Sequence, residues 1–136
     1  MLVGEYLPNR VQRIDLDGTV TRIAGRFTYT PGGFSGEGGP ALRARFHRVE
    51  GLRPGANGEL YIGDVENHRV RMIDPQGSVI TIAGTGELAS DQDFQPGPTS
   101  PIGFPAELTV HPDGRVFFSD TCTGSIPLRV LVRKPF

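Results

Sequence analysis

Arg10 to Gly25 returns, nearly rewritten, as Arg69 to Gly84. At an offset of 59 the two stretches share nine of sixteen residues: Arg, Val, Ile, Asp, Gly, Val, Ile, Ala and Gly. The match extends backwards, with Leu2-Val3-Gly4-Glu5 falling on Tyr61-Ile62-Gly63-Asp64, and an offset of 56 lays Leu52 to Asp64 on Leu108 to Asp120. A chain that repeats a unit of this size folds by stacking copies, because one copy cannot bury its apolar faces alone.

The unit reads as four strands: a around Gly51 to Pro54, b from Glu59 to Asp64, c from Arg69 to Asp74 and d from Ser78 to Ala83. Each is short, and b to d are rich in Val, Ile or Tyr, as half-buried strands are. Asp74-Pro75-Gln76-Gly77 joins c to d with the residues of a type I turn, its glycine taking the left-handed conformation that lets the chain reverse. The same device recurs at Asp15 to Gly18, Gly55 to Gly58 and His111 to Gly114. Strands c (Arg-Val-Arg-Met-Ile) and d (Val-Ile-Thr-Ile-Ala) carry apolar residues on both sides, so the sheet needs a neighbour on each face. Nineteen glycines and twelve prolines in 136 residues suit many tight turns and few helices. The expected class is all-β, a partial β-propeller of four-stranded antiparallel blades.

Residues 1–25 then form a partial blade, 46–84 a complete one and 104–136 another partial one, with 26–45 and 85–103 as interblade loops. That is about two to two and a half blades. Propellers close with four to eight, so the expectation is a segment of a longer polypeptide or a chain that self-associates to complete a ring. Open end blades would leave Val, Ile, Leu and Phe exposed.

Asn9-Arg10-Val11 and Asn67-His68-Arg69-Val70, each followed by Ile-Asp and a hairpin ending Ile-Ala-Gly, resemble NHL repeats. Gly33-Phe34-Ser35-Gly36-Glu37-Gly38-Gly39-Pro40-Ala41 is similar to the linker of bacterial NHL proteins and of the teneurin NHL propeller. Two departures stand out: Thr85 to Gly103 lacks the Gly-Gly-Pro-Ala core, and Ser125-Ile126-Pro127-Leu128 replaces Asn-x-Arg-Val ahead of Arg129. The resemblance implies a rigid scaffold that binds a protein or glycan partner, and an extracellular or periplasmic compartment for a longer secreted parent. It also leaves an alternative, a fragment of a six-bladed enzyme of the zinc-dependent amidating-lyase or lactonase kind.

In an up-and-down sheet the ab and cd turns lie at one end and the bc and da loops at the other. Here the first set is tight and the second is long, so the long-loop end is the expected binding face. Its candidate residues are Arg26, Tyr29, Phe34, Glu37, Arg43, Glu66, His68, Asp91 and Asp93. The Gly33 to Ala41 segment lacks the Gly-Lys-Ser/Thr ending of a phosphate loop and reads as blade-junction packing, with Pro40 to Arg45 as one short helical turn. Glu5, Asp64 and Asp120 end strand b, where a carboxylate accepts backbone N–H groups from the bc loop. Asp91-Gln92-Asp93 lacks the following Gly and distant Glu of a calcium loop.

No catalytic residue, cofactor or metal site is assigned. His111 belongs to a tight turn, roughly 17–20 Å along a strand from the end that carries His47 and His68, so the three histidines cannot share one zinc ion. Two of them, with ligands from other blades, remain compatible with an enzyme. Cys122 has no basic neighbour and reads as a small filler. A net charge of -1 with arginines spread through strands and loops, read as solvated or stem-packed, excludes a nucleic-acid footprint. No run is long enough to span a membrane, and Met1 to Glu5 has neither a basic nor an apolar signal region.

Overall fold

The computed structural model describes residues 1–27, 32–89 and 99–121 in full, and the backbone of 128–131. Among the described residues the chain is all-β apart from two single 3₁₀ turns. In order, the strands are β1 (Leu2–Glu5), β2 (Arg10–Ile14), β3 (Val20–Ala24), β4 (Gly39–Pro40), β5 (Val49–Pro54), β6 (Leu60–Asp64), β7 (Arg69–Ile73), β8 (Ser78–Ala83), β9 (Leu108–Val110), β10 (Val116–Ser119) and β11 (Leu128–Leu131). They form three antiparallel sheets, ordered β1-β2-β3, β4-β8-β7-β6-β5 and β11-β10-β9. This is a partial β-propeller-like architecture. The middle sheet is the a-b-c-d unit expected between Gly51 and Ala83, its first strand starting earlier, at Val49, with one addition: β4, from the linker, pairs in register with Ser78 and Val79 at the outer edge of β8. An open edge there is thus covered by the chain's own linker.

The tight turns form because glycine closes each of them from the left-handed region. Gly18, Gly58, Gly77 and Gly114 have φ between +84° and +89°, and Gly18, Gly77 and Gly114 each donate their N–H to the carbonyl three residues back. The helical turn is shorter than expected. Only Ala41–Arg43 is 3₁₀, because Gly39 and Pro40 are committed to β8.

Two cores separate three sheets. Between the first and second lie Val11, Ala24, Phe46, Val49, Leu60, Ile62, Ile73 and Val79. Between the second and third lie Tyr61, Val70, Met72, Ala83, Ile102, Leu108, Val116 and Phe118. Alternate residues of β6 divide between them, Leu60 and Ile62 to one core and Tyr61 to the other, which is the period-2 geometry of a sheet buried on both faces. Burying each large side chain contributes about 1.5–3 kcal/mol.

Equivalent positions make equivalent contacts across the two junctions. A Cβ on Gly63 would overlap the carbonyl oxygen of Pro105, and one on Gly4 would touch Val49, which lies 56 residues before Pro105. A Cβ on Gly25 would run into Asn9 O, and one on Gly84 into His68 O. At Gly25, Gly63 and Gly84 neighbouring backbone passes too close for a side chain, while at Gly4 the neighbour is the Val49 side chain. On the outer side of the first sheet Val20 is exposed, while Leu2 and Ile23 pack on the core.

Candidate functional site

The long-loop end is built around residues with left-handed backbone. Asn9 and His68, 59 positions apart, have φ of +61° and +51°. Each reaches across to the next sheet: Asn9 Oδ1 accepts the Arg48 N–H at 2.6 Å, and His68 Nδ1 lies 2.9 Å from Gly103 O. A carbonyl only accepts, so the His68 proton sits on Nδ1. His68 also stands edge-on to Phe104, with ring centroids 5.0 Å apart. The Asn of the repeat motif is therefore not one position but two. In the first repeat Asn9 is the left-handed residue, whereas in the second that place is taken by His68 and Asn67 precedes it.

The carboxylate ending strand b accepts a backbone N–H from the incoming segment at both Asp64 and Asp120, and at Asp64 no bc backbone N–H reaches it among the described residues. Asp64 Oδ1 accepts the His47 N–H at 2.8 Å, and Asp120 Oδ1 accepts the Gly103 N–H at 2.5 Å. The bc loop contributes a side chain instead, since Asn67 Nδ2 donates to Asp64 at 2.9 Å and to Gly33 O at 2.9 Å. Its backbone bonds elsewhere: the Val65 and Glu66 N–H groups donate to the Arg48 and His47 carbonyls at 3.1 Å each, and the His68 N–H closes the 3₁₀ turn on Val65 O. Glu5, at the equivalent place in the first repeat, pairs instead with Arg10, which holds its carboxyl below the ordinary range.

Arg71 departs most from the sequence expectation of solvated or stem-packed arginines. Its side chain is wholly buried, with Nη1 3.4 Å from Asp64 and Nη2 3.4 Å from Glu37. Its guanidinium carbon lies 4.6 Å from the centre of the Phe34 ring and 5.6 Å from that of Phe46. Arg69 stacks on Phe34 more closely, at 3.8 Å. Burial pushes Asp64 up to about 6 against the opposing pull of His47 N–H, Asn67 and Arg71, and burial likewise lowers Arg71. The cluster fastens the linker to the second sheet. Nothing in composition marks Arg71 as different from its neighbours; the available signal was a single arginine between Val70 and Met72 in a strand with two buried faces.

The candidate residues thus fall into separate groups. Phe34 and Glu37 converge on Arg71, and both Glu37 oxygens also accept from Thr81, from N–H and Oγ1 at 2.7 Å each. Glu66 meets Arg48 at 3.2 Å, while Glu50 meets the same guanidinium at 2.7 Å and Tyr6 lies under it at 5.8 Å. Arg26 and Arg43 have exposed side chains on the linker, and the Arg26 N–H donates to Ala44 O at 2.7 Å. His68 is part of the Gly103 contact. Tyr29, Asp91 and Asp93 lie outside the described residues. Sequence reasoning missed Tyr6 and Leu7, which are 58% and 71% exposed on the first bc loop. Among the described residues no group of three or more His, Cys, Asp or Glu is placed to hold a metal ion. Among them, too, no helix is long and apolar enough to cross a membrane.

No family model matches the chain. A structural genomics protein of unknown function from Bacteroides thetaiotaomicron superimposes with a TM-score of 0.72 at 21% identity, over 86% of this chain and 28% of that one. At that identity the likeness speaks to the fold. The Arabidopsis thaliana protein SUPPRESSOR OF QUENCHING 1, chloroplastic, is 33% identical over 66 residues, 48% of this chain. The chain spans only 6% of that protein's length.

Proposed function

We propose that the chain is an NHL-type propeller segment, a non-catalytic scaffold whose long-loop end binds a protein or glycan partner. One observation carries this reading: the loops there are pinned through Asn9 to Arg48 and through His68 to Gly103, yet Tyr6, Leu7, Phe27 and Phe34 keep between 40% and 71% of their surface exposed. Large apolar side chains on a pre-ordered frame lose little conformational freedom when a partner covers them, so more of the contact energy appears as affinity. Arg10 and Arg48 lie over the Phe27 and Tyr6 rings, holding those rings at the surface.

The test uses the full chain on a glycan array and in capture of proteins from its source cells. Alanine at Tyr6, Leu7 and Arg43 is expected to weaken any interaction by about tenfold or more, as loss of an anchor does, with the melting temperature little changed. His68 is left intact because its loss would loosen the frame. Undiminished binding by the triple variant would reject this face.

A further inference from the structure

The outer face of the first sheet repeats a face that the second sheet buries. Leu60, Ile62, Ile73 and Val79 pack into the core between the first and second sheets, and 59 positions earlier stand Met1, Val3, Ile14 and Val20. Val116 and Phe118, 56 positions after Leu60 and Ile62, pack in the same way into the core between the second and third sheets. The surface that covers this face is also repeated. At the first junction it carries Val11 and Ala24, and at the second their equivalents at an offset of 59, Val70 and Ala83.

On the first sheet, no further sheet lies against that face among the described residues. Met1 and Val20 are 77% and 55% exposed, and Val3 and Ile14 are half-buried. A terminal repeat that faces water carries a polar outer side. Here apolar residues stand at all four positions.

The other end of the chain carries the complement. In the middle sheet Tyr61, paired in register with Met72, belongs to the face that meets the third sheet. In the third sheet that place is held by Phe117, paired with Val130. Phe117 is half-buried, with the Arg115 guanidinium 5.6 Å from its ring centre. One chain thus holds both halves of a junction that it already forms twice within itself.

We propose that the outer face of the first sheet docks, head to tail, on the outer face of the third sheet of a second copy of this chain. Each copy has three sheets. Two copies fall within the range of about four to eight blades at which propellers close, so the same contact made twice completes a ring of two. The interface is separate from the long-loop binding surface.

Sedimentation velocity of the full chain reads the assembly. The wild-type chain is expected to pass from one copy to two as concentration rises. Val20→Glu and Phe117→Glu are each expected to weaken dimerisation about tenfold or more, because a carboxylate would be buried against apolar residues. An equimolar mixture of the two variants retains one intact pair of faces, and is expected to form heterodimers more tightly than either variant forms dimers alone. A chain that stays single at every concentration, leaving the face to a sheet of a different polypeptide, overturns the proposal. So does a dimer that survives Phe117→Glu, as a contact between two first sheets would, a mixture no tighter than its components, or assembly that grows beyond two copies. Should either variant not fold, dilution of the wild type serves instead. The amide resonances of Val3, Ile14, Val20 and Phe117 are expected to move together as the dimer dissociates, and movement confined to other residues overturns the proposal equally.

Discussion

Asp64 and Arg71 face each other at 3.4 Å with no exposed side-chain surface on either, seven residues apart on adjacent strands of the middle sheet. An ion pair this deep is stabilised by its neighbours as much as by itself. Asp64 also accepts from His47 N–H and Asn67, and Arg71 reaches Glu37. Breaking one side leaves the other charge buried, so Arg71→Ala is expected to destabilise the fold by about 3–5 kcal/mol. Urea unfolding would measure it.

The pair also sets a pH dependence. Asp64 titrates at about 6 in the folded chain against an ordinary 3.8, so the folded state binds its proton more tightly than the unfolded state does. Its contribution to stability is therefore greatest below about pH 4, declines as pH rises through about 6, and is flat above; a shift of this size corresponds to at most ~3 kcal/mol. Asp64→Asn removes the titration but keeps an acceptor for the His47 N–H. The stability of wild type relative to Asp64→Asn should fall between pH 4 and pH 7, and a flat or rising difference would contradict the assignment.

Close backbone approach predicts an order among glycine substitutions. Gly63→Ala places a methyl group against the Pro105 carbonyl, which cannot move without shifting the third sheet, and should cost more than the ~1–3 kcal/mol typical of overpacking. At Gly4 the nearest atom is a Val49 side-chain carbon at 3.0 Å, a neighbour that can turn aside, so the cost is smaller. Gly77→Ala meets open space and costs only the left-handed backbone, about 1 kcal/mol. Thermal melts of the three variants would rank them.

Asn9 tests the contact between the first two sheets. Asn9→Ala loses the acceptor for the Arg48 N–H and places alanine at positive φ, for a combined cost of about 2–4 kcal/mol. Asn9→Gly restores the backbone alone and should recover about 1 kcal/mol of that. Asn9→Asp keeps both features. If alanine and aspartate prove equally stable, the side-chain bond is not what joins the sheets.

What the sequence made legible was local or periodic. The Asp-Pro-Gln-Gly turn, the alternation in β6 to β8 and the Ile-Ala-Gly endings each encode their conformation within a few residues. The offsets of 59 and 56 carried that reading to the other sheets. What escaped depends on residues far apart in the chain. Glu37 meets Thr81, Asn9 meets Arg48 and His68 meets Gly103 across separations of 35 to 44 residues. Arg71 between Val70 and Met72 and Arg13 between Gln12 and Ile14 stand in strands of similar composition, and the partners that bury Arg71, Glu37 and Phe34, lie more than thirty residues away. The edge pairing of β4 escaped for a related reason, since Gly39-Pro40 reads as a turn until β8 lies beside it.

The account rests on side chains that hold the chain where it enters the second and third sheets. Amide hydrogen exchange at Arg48 and Gly103, whose N–H groups are held by Asn9 and Asp120, tests this most directly. Both amides are expected to exchange slowly, and Asn9→Ala should release Arg48 while leaving Gly103 protected. Unfolded-chain exchange rates at both positions in the wild-type protein would contradict it.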